Sequence, residues 1–239
     1  MEAKQERWLH ELMERMSPLR ISLPEGLLLG VITGLGYFSA YLSEIGYKSY
    51  FRLPSMYADI SVNTLILSVS IIVLICLLGI LSLQVPWIHQ YGRFVFPLLI
   101  PLSLWFVTSV KMGFFFDWEH PYKWWGLCIF NVAAIGVLFE CLHRRRLLAG
   151  ILVLVVLVVI TARISGELVA ENQQWYLVSK KPQPVVVVDT YKDALIVAPI
   201  NLQKRTIRPQ YQLIDTKAEP DQALSFQPMQ IGPLRVEDR

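Results

Sequence analysis

The chain reads as an integral membrane α-helical bundle of about five transmembrane helices with a small C-terminal antiparallel β module. Three observations predict this. Of the 239 residues, 54% are hydrophobic and 17% charged, and mean hydropathy is +0.45, a balance foreign to an ordinary soluble domain. Five apolar runs approach or reach the roughly 17 to 25 residues that cross hydrocarbon. Beyond residue 163 the pattern changes to short β-branched or alternating runs broken by prolines and polar turns.

Residues 1–25 form the first segment. "EAKQERWLHELMERM" places Trp8, Leu9, Leu12, Met13 and Met16 on one helical face, predicting a cytoplasmic amphipathic helix. Glu2, Glu6, Glu11 and Glu14 balance its bases, so it is expected to pack on the bundle or a partner rather than on anionic lipid. The bundle, 26–163, contains candidate spans at 26–42, 61–83, 94–110, 124–142 and 147–163. The glutamate-bearing stretch before the first is unlike the basic start of a signal peptide, so that span reads as an uncleaved anchor. Three adjacent arginines in "ECLHRRRLLAG" would be very costly at a bilayer midplane and therefore predict a hairpin between the last two spans.

Sidedness follows from the cations. With the N-terminus inside, Lys4, Arg7, Arg15, Arg20, Arg93, Arg144, Arg145 and Arg146 are cytoplasmic, against Lys48, Arg52, Lys111 and Lys123 outside. That excess favours a cytoplasmic N-terminus and, after five crossings, an extracytoplasmic tail in the inner membrane. Trp87, Trp118, Trp124 and Trp125 at span edges suit the headgroup level.

Residues 164–239 hold "WYLVS", "PVVVVDTY", "DALIVAP", "QYQLID" and "LSFQPMQI". The apolar phase of the last slips at Pro228, as at an edge strand or bulge. A module of about 60 residues is near the lower limit for a self-sufficient core, so it is expected to lean on the membrane surface, another subunit or a partner. Its nine basic and nine acidic residues argue against an electrostatic catcher of polyanions.

Candidate site residues fall into four groups. Gly26, Gly30 and Gly34 recur every four positions, with Gly36 and Ala40 continuing a second row, and predict close helix packing, within the chain or between copies. In "SEIGYKSYFRLPS", Tyr47, Tyr50 and Phe51 are expected at the outer headgroup level, Lys48 and Arg52 toward water or lipid phosphate, and Pro54 as a block to the helix. Whether the β module docks on this segment is left open by the sequence. Asn131, with Ser68, Asn63, Thr64 and Ser70, is placed for interhelical hydrogen bonds or for lining a narrow path; Glu140 stands one turn before Arg144, as in an ion pair. Asp117, Glu119 and His120 form a weak candidate for metal binding or acid–base chemistry, without a defined ligand spacing. Cys76, Cys128 and Cys141 lie in apolar runs and predict no disulfide framework.

The segment "EIGYKSYFRLPSMY", followed later by "VVVVDTYKDALIVAPI", resembles uncharacterised bacterial multi-pass inner-membrane proteins with a G-Y-x-x-Y-F-x-x-P segment after the first span. The resemblance covers about a fifth of the chain. It implies a bacterial inner membrane and attaches neither an activity nor a functional residue.

No GxxxxGK[ST], HExxH, GxSxG or EF-hand pattern occurs, so the expectation is a non-enzymatic protein without cofactor: an interaction, sensing or assembly component displaying the β module. The alternatives are an oligomeric channel or small-solute conduit, and an enzyme acting on lipid headgroups. Expected partners are membrane lipid, a second copy of the chain, and a protein recognised by the β module or the N-terminal helix. Without a lysine run, nucleic acid is not among them.

Overall fold

The structure, a computed structural model, describes residues 25–84, 94–102, 121–180, 183–215 and 225–237. The amphipathic N-terminal helix therefore lies outside the described residues. Helix α1 (Glu25–Tyr50) leads through a short 3-10 turn (Ser55–Tyr57) to α2 (Val62–Gln84). A helical stretch, α3, covers 94–102 of the expected third span; α4 (Pro121–His143) and α5 (Leu147–Asn172) follow. Among the described residues, Val62–Gly79, Tyr122–His143 and Leu147–Asn172 are long and apolar enough to cross a membrane.

Two helices end in the same way. After α1, the Arg52 amide donates to the Ser49 carbonyl at 3.1 Å and the Leu53 amide to the Lys48 carbonyl at 2.9 Å. After α4, Arg145 donates to Leu142 at 3.0 Å and Arg146 to Cys141 at 2.8 Å. Both are Schellman ends, with Arg52 and Arg145 at φ 56° in the position glycine usually takes. The second provides the tight reversal expected of the triple-arginine segment.

Helix α1 packs on α5 and α2, and α4 on α5. Ile75, Ile100, Ile135, Leu138, Phe139 and Leu157 form the bundle core. Backbone meets backbone where α1 crosses α5. A Cβ at Gly166 would overlap the carbonyl oxygen of Ser43, and one at Gly46 that of Arg163. On α5, Ala162, Gly166 and Ala170 recur every four residues along the buried side, which allows this approach.

Among the described residues seven strands follow: β1 (Trp175–Ser179), β2 (Val185–Tyr191), β3 (Ala194–Asn201), β4 (Thr206–Ile207), β5 (Gln212–Asp215), β6 (Gln227–Gln230) and β7 (Arg235–Val236). Their order is β6-β1-β2-β3-β4-β7, with β5 also on β3. The expected all-antiparallel sheet is corrected to a mixed one, because β4 and β7 pair in parallel. The path of the chain explains this. Five strand gaps would separate β6 from β7 by about 24 Å in a flat sheet. The link from Gln230 to Arg235 can span at most about 18 Å. The sheet must curl to bring its two ends together, and β7 closes the far edge in the direction set by that crossing. Pro228 sits on β6, which among the described residues is an edge strand paired only with β1.

The curled sheet encloses Tyr176, Val178, Val186, Val188, Ile196, Ala198, Ile200, Ile207 and Leu234. Phe51 and Leu53, from the end of α1, and Ala170, from α5, complete that core. The module thus fills its interior partly with residues from the helical region. The change from helix to strand falls between Asn172 and Trp175 rather than at 164, because α5 continues past its most apolar stretch.

Candidate functional site

The chemistry-bearing side chains of the described residues converge where α1 enters the module. Helical spacing over its last two turns sends successive residues to different parts of the sheet. The Tyr47 hydroxyl reaches Gln173 Oε1 and the Val188 carbonyl, both at 2.8 Å, with one proton to share between them. Tyr50 donates to the Leu234 carbonyl at 2.8 Å. The Phe51 ring, 0% exposed, packs edge-on to Tyr50 with centroids 5.0 Å apart and tilted to Tyr47 at 5.2 Å. Tyr211 donates to the Phe51 carbonyl. Beyond the helix, Tyr57 stacks edge-on to Tyr191 at 5.3 Å, and the Lys192 amide donates to Asp59 Oδ2 at 3.3 Å.

Lys48 is the buried cation of this junction and is 1% exposed. Its ammonium donates to Asp189 Oδ2 and, at 3.4 Å, to Glu44 Oε2 one turn earlier. A β-bulge between Val187 and Asp189 shifts the β2–β3 register at the place where the Val188 carbonyl meets Tyr47 and Asp189 meets Lys48. Asp189 Oδ1 accepts the Thr190 amide at 2.7 Å. Burial pushes the Glu44 carboxyl above its ordinary range, with Lys48 opposing the rise. Burial also pushes the Tyr47 hydroxyl well above the usual tyrosine range and that of Tyr211 up to about 12. The buried Tyr176 hydroxyl has no hydrogen-bond partner among the described residues, and burial raises it as well. A second ionic contact lies nearby: Lys123 on α4 reaches Glu171 at 2.8 Å and Glu167 at 3.4 Å on α5.

The structure distributes the sequence candidates unevenly. Among the described residues, Gly26, Gly30 and Gly34 meet no neighbouring element: a Cβ at any of them would find nothing within 4 Å. Gly36 and Ala40 are buried; a Cβ at Gly36 would overlap Val69 of α2. Tyr47, Tyr50 and Phe51 lie against or beneath the sheet, because α1 continues to Tyr50 and carries them into the module. Lys48, expected toward water or phosphate, is buried by the same extension; Arg52 and Pro54 are exposed. Asn131 bonds between helices, accepting from Thr161 Oγ1 at 2.7 Å while its own amide donates to the Leu127 carbonyl at 2.9 Å. Ser68 is half-buried on α2, and Glu140 pairs with Arg144 at 2.7 Å. Asp117, Glu119 and His120 lie outside the described residues. Among those described, no group of three His, Cys, Asp or Glu side chains could hold a metal ion.

Sequence reasoning missed Gly46, Gly166 and the Lys48–Asp189 pair. The Ala162-Gly166-Ala170 row was a readable signal for the first two. Nothing local links Lys48 to a residue 141 positions away. Scans of family models and searches of curated proteins and solved structures found no match to this chain.

Proposed function

We propose that this is a non-enzymatic multi-pass protein of a bacterial inner membrane, with a cytoplasmic N-terminus, five spans and an extracytoplasmic β module that serves as an interaction, sensing or assembly element. The supporting observation is the continuity of α1. One 26-residue helix, about 39 Å long, reaches from the first expected span into the core of the module. A load or ligand on the sheet therefore bears on a helix whose other end adjoins the amphipathic N-terminal segment. The open ridge of Gly26, Gly30 and Gly34 is the surface offered to a second copy, and membrane lipid surrounds the rest.

The test is a photo-crosslinking residue at Leu213, an exposed position on β5, in cells carrying the full chain, combined with a C-terminal reporter active on only one side of the membrane. An extracytoplasmic reporter signal and a discrete crosslinked adduct support the proposal. A cytoplasmic signal, or the absence of any adduct under all growth conditions, would remove it.

A further inference from the structure

We infer that the groove between α3 and α4 is a binding site for one anionic phospholipid, whose acyl chain lies along Gly136 and Pro97 and whose phosphate meets the arginines of the α4–α5 turn. This rests on the membrane-spanning reading proposed above. The groove is lined by Phe94 and Pro97 from α3 and by Val132, Gly136 and Glu140 from α4. Its volume of about 520 Å³ falls within the roughly 300–1,000 Å³ of ligand sites. Gly136 keeps it open by bringing no side chain: a Cβ there would stand 3.9 Å from Pro97 Cβ, in ordinary contact. Glu140 apart, the lining is apolar, as a hydrocarbon chain requires.

One row of α4 joins the groove to a charge. Val132, Gly136 and Glu140 recur every four residues and so share a face. The Arg144 amide donates to the Glu140 carbonyl at 3.0 Å, so the row continues through Arg144. Glu140 Oε1 holds Arg144 Nε at 2.7 Å, which brings the guanidinium to the Glu140 end of the groove and occupies one of its three nitrogens. Among the described residues the other two have no partner, and Arg145 and Arg146 meet no carboxylate; all three arginines are exposed. Three arginines against one glutamate leave two positive charges in excess. The guanidinium fork matches phosphate oxygens in pairs.

Depth selects the occupant. His143 closes the apolar span Tyr122–His143. Glu140, Gly136 and Val132 lie three, seven and eleven positions inside it, about 4, 10 and 16 Å of helical rise. The hydrocarbon of one leaflet is about 15 Å deep, so the groove runs from its edge to the bilayer midplane. Arg144, Arg145 and Arg146 follow in the headgroup layer, about 5–7 Å deep. The chain and the phosphate of a single lipid therefore meet the groove and the arginines at their own levels, and basic sites between spans select anionic headgroups.

The test uses the full chain in nanodiscs of mixed phosphatidylcholine and phosphatidylglycerol, with one or the other carrying a diazirine in its acyl chain and the labelled residues mapped by mass spectrometry. Labelling over 132–140 should favour phosphatidylglycerol by about fivefold per engaged cation, less at high salt. Arg144→Gln with Arg145→Gly, the glycine suiting the left-handed backbone at φ 56°, should bring the two lipids level. Gly136→Leu should fill the groove and remove labelling over 132–140 with either lipid, while Ile66 and Leu67, exposed on α2, stay labelled. Equal labelling of the unaltered groove by the two lipids, a preference that survives the double variant, or groove labelling that survives Gly136→Leu overturns the inference. If neither lipid labels any helix, the membrane-spanning reading itself fails; labelled Ile66 and Leu67 beside an unlabelled groove sink this inference alone.

Discussion

Replacing Phe51 with alanine probes the dependence of the module on α1. The ring is fully buried between Tyr47, Tyr50 and the sheet interior. Losing a buried phenylalanine costs about 3–5 kcal/mol, through lost transfer energy and the cavity left behind. At about 0.05–0.15 kcal/mol per residue, a module of about 60 residues has only about 3–9 kcal/mol of stability in total. The substitution should therefore accelerate globally limited amide exchange over 186–188 and 196–198 by about two to three and a half orders of magnitude. Amides around Ile135 and Leu157, in the separate bundle core, should be unchanged. Phe51→Leu keeps most of the volume and should cost less than about 1.5 kcal/mol. If Phe51→Ala left exchange in the sheet unaltered, the argument that α1 supplies the module's core would be wrong.

Other outcomes follow from the same contacts. Gly166→Ala would place a methyl on the Ser43 carbonyl and should lower stability by about 1–3 kcal/mol, read by thermal unfolding in detergent; Gly30→Ala, where no described atom lies within 4 Å of the added Cβ, should leave the unfolding of a single chain unchanged and act only on association between copies. Asp189→Ala leaves Lys48 buried without its principal partner and should cost about 3–5 kcal/mol. Adding Lys48→Met should recover most of that loss, and a double-mutant cycle measures the coupling. The Glu44 carboxyl is raised in the fold, so the native state binds its proton more tightly: its contribution is present below the unfolded pKa and lost as pH rises through the folded one. Glu44→Gln should therefore flatten the fall in stability across that acidic window. Tyr47, Tyr176 and Tyr211 are also raised, Tyr211 to about 12. Their shared contribution is present below the unfolded value of about 10 and should decline above it. Alkaline titration followed by tyrosine absorbance should show late ionisation coinciding with loss of the sheet.

The helical region was legible because its apolar runs have the length and composition that crossing a membrane requires, and the strands because their apolar residues alternate. The boundary at 164 was misplaced because falling hydropathy was equated with the end of a helix. In "ARISGELVAEN" polarity rises while α5 continues to Asn172, keeping Gly166, Leu168 and Ala170 buried. The same distinction explains Lys48. The apolar run ends near residue 42, but α1 persists to Tyr50 and brings Lys48 to Asp189. The row of Gly26, Gly30 and Gly34 is conspicuous on its own helix, yet the close crossing occurs at Gly46. A close approach is a property of two helices, and periodicity on one reveals only half of it.

The most direct test of the account is the ¹H–¹⁵N spectrum of residues 173–239 prepared without the helices. If α1 supplies Phe51 and Leu53 to the sheet, this fragment should show narrow amide dispersion and no exchange-protected amides. A dispersed spectrum with protected amides over 186–188 and 196–198 would show that the module folds alone, contradicting the claim that it is built on the end of α1.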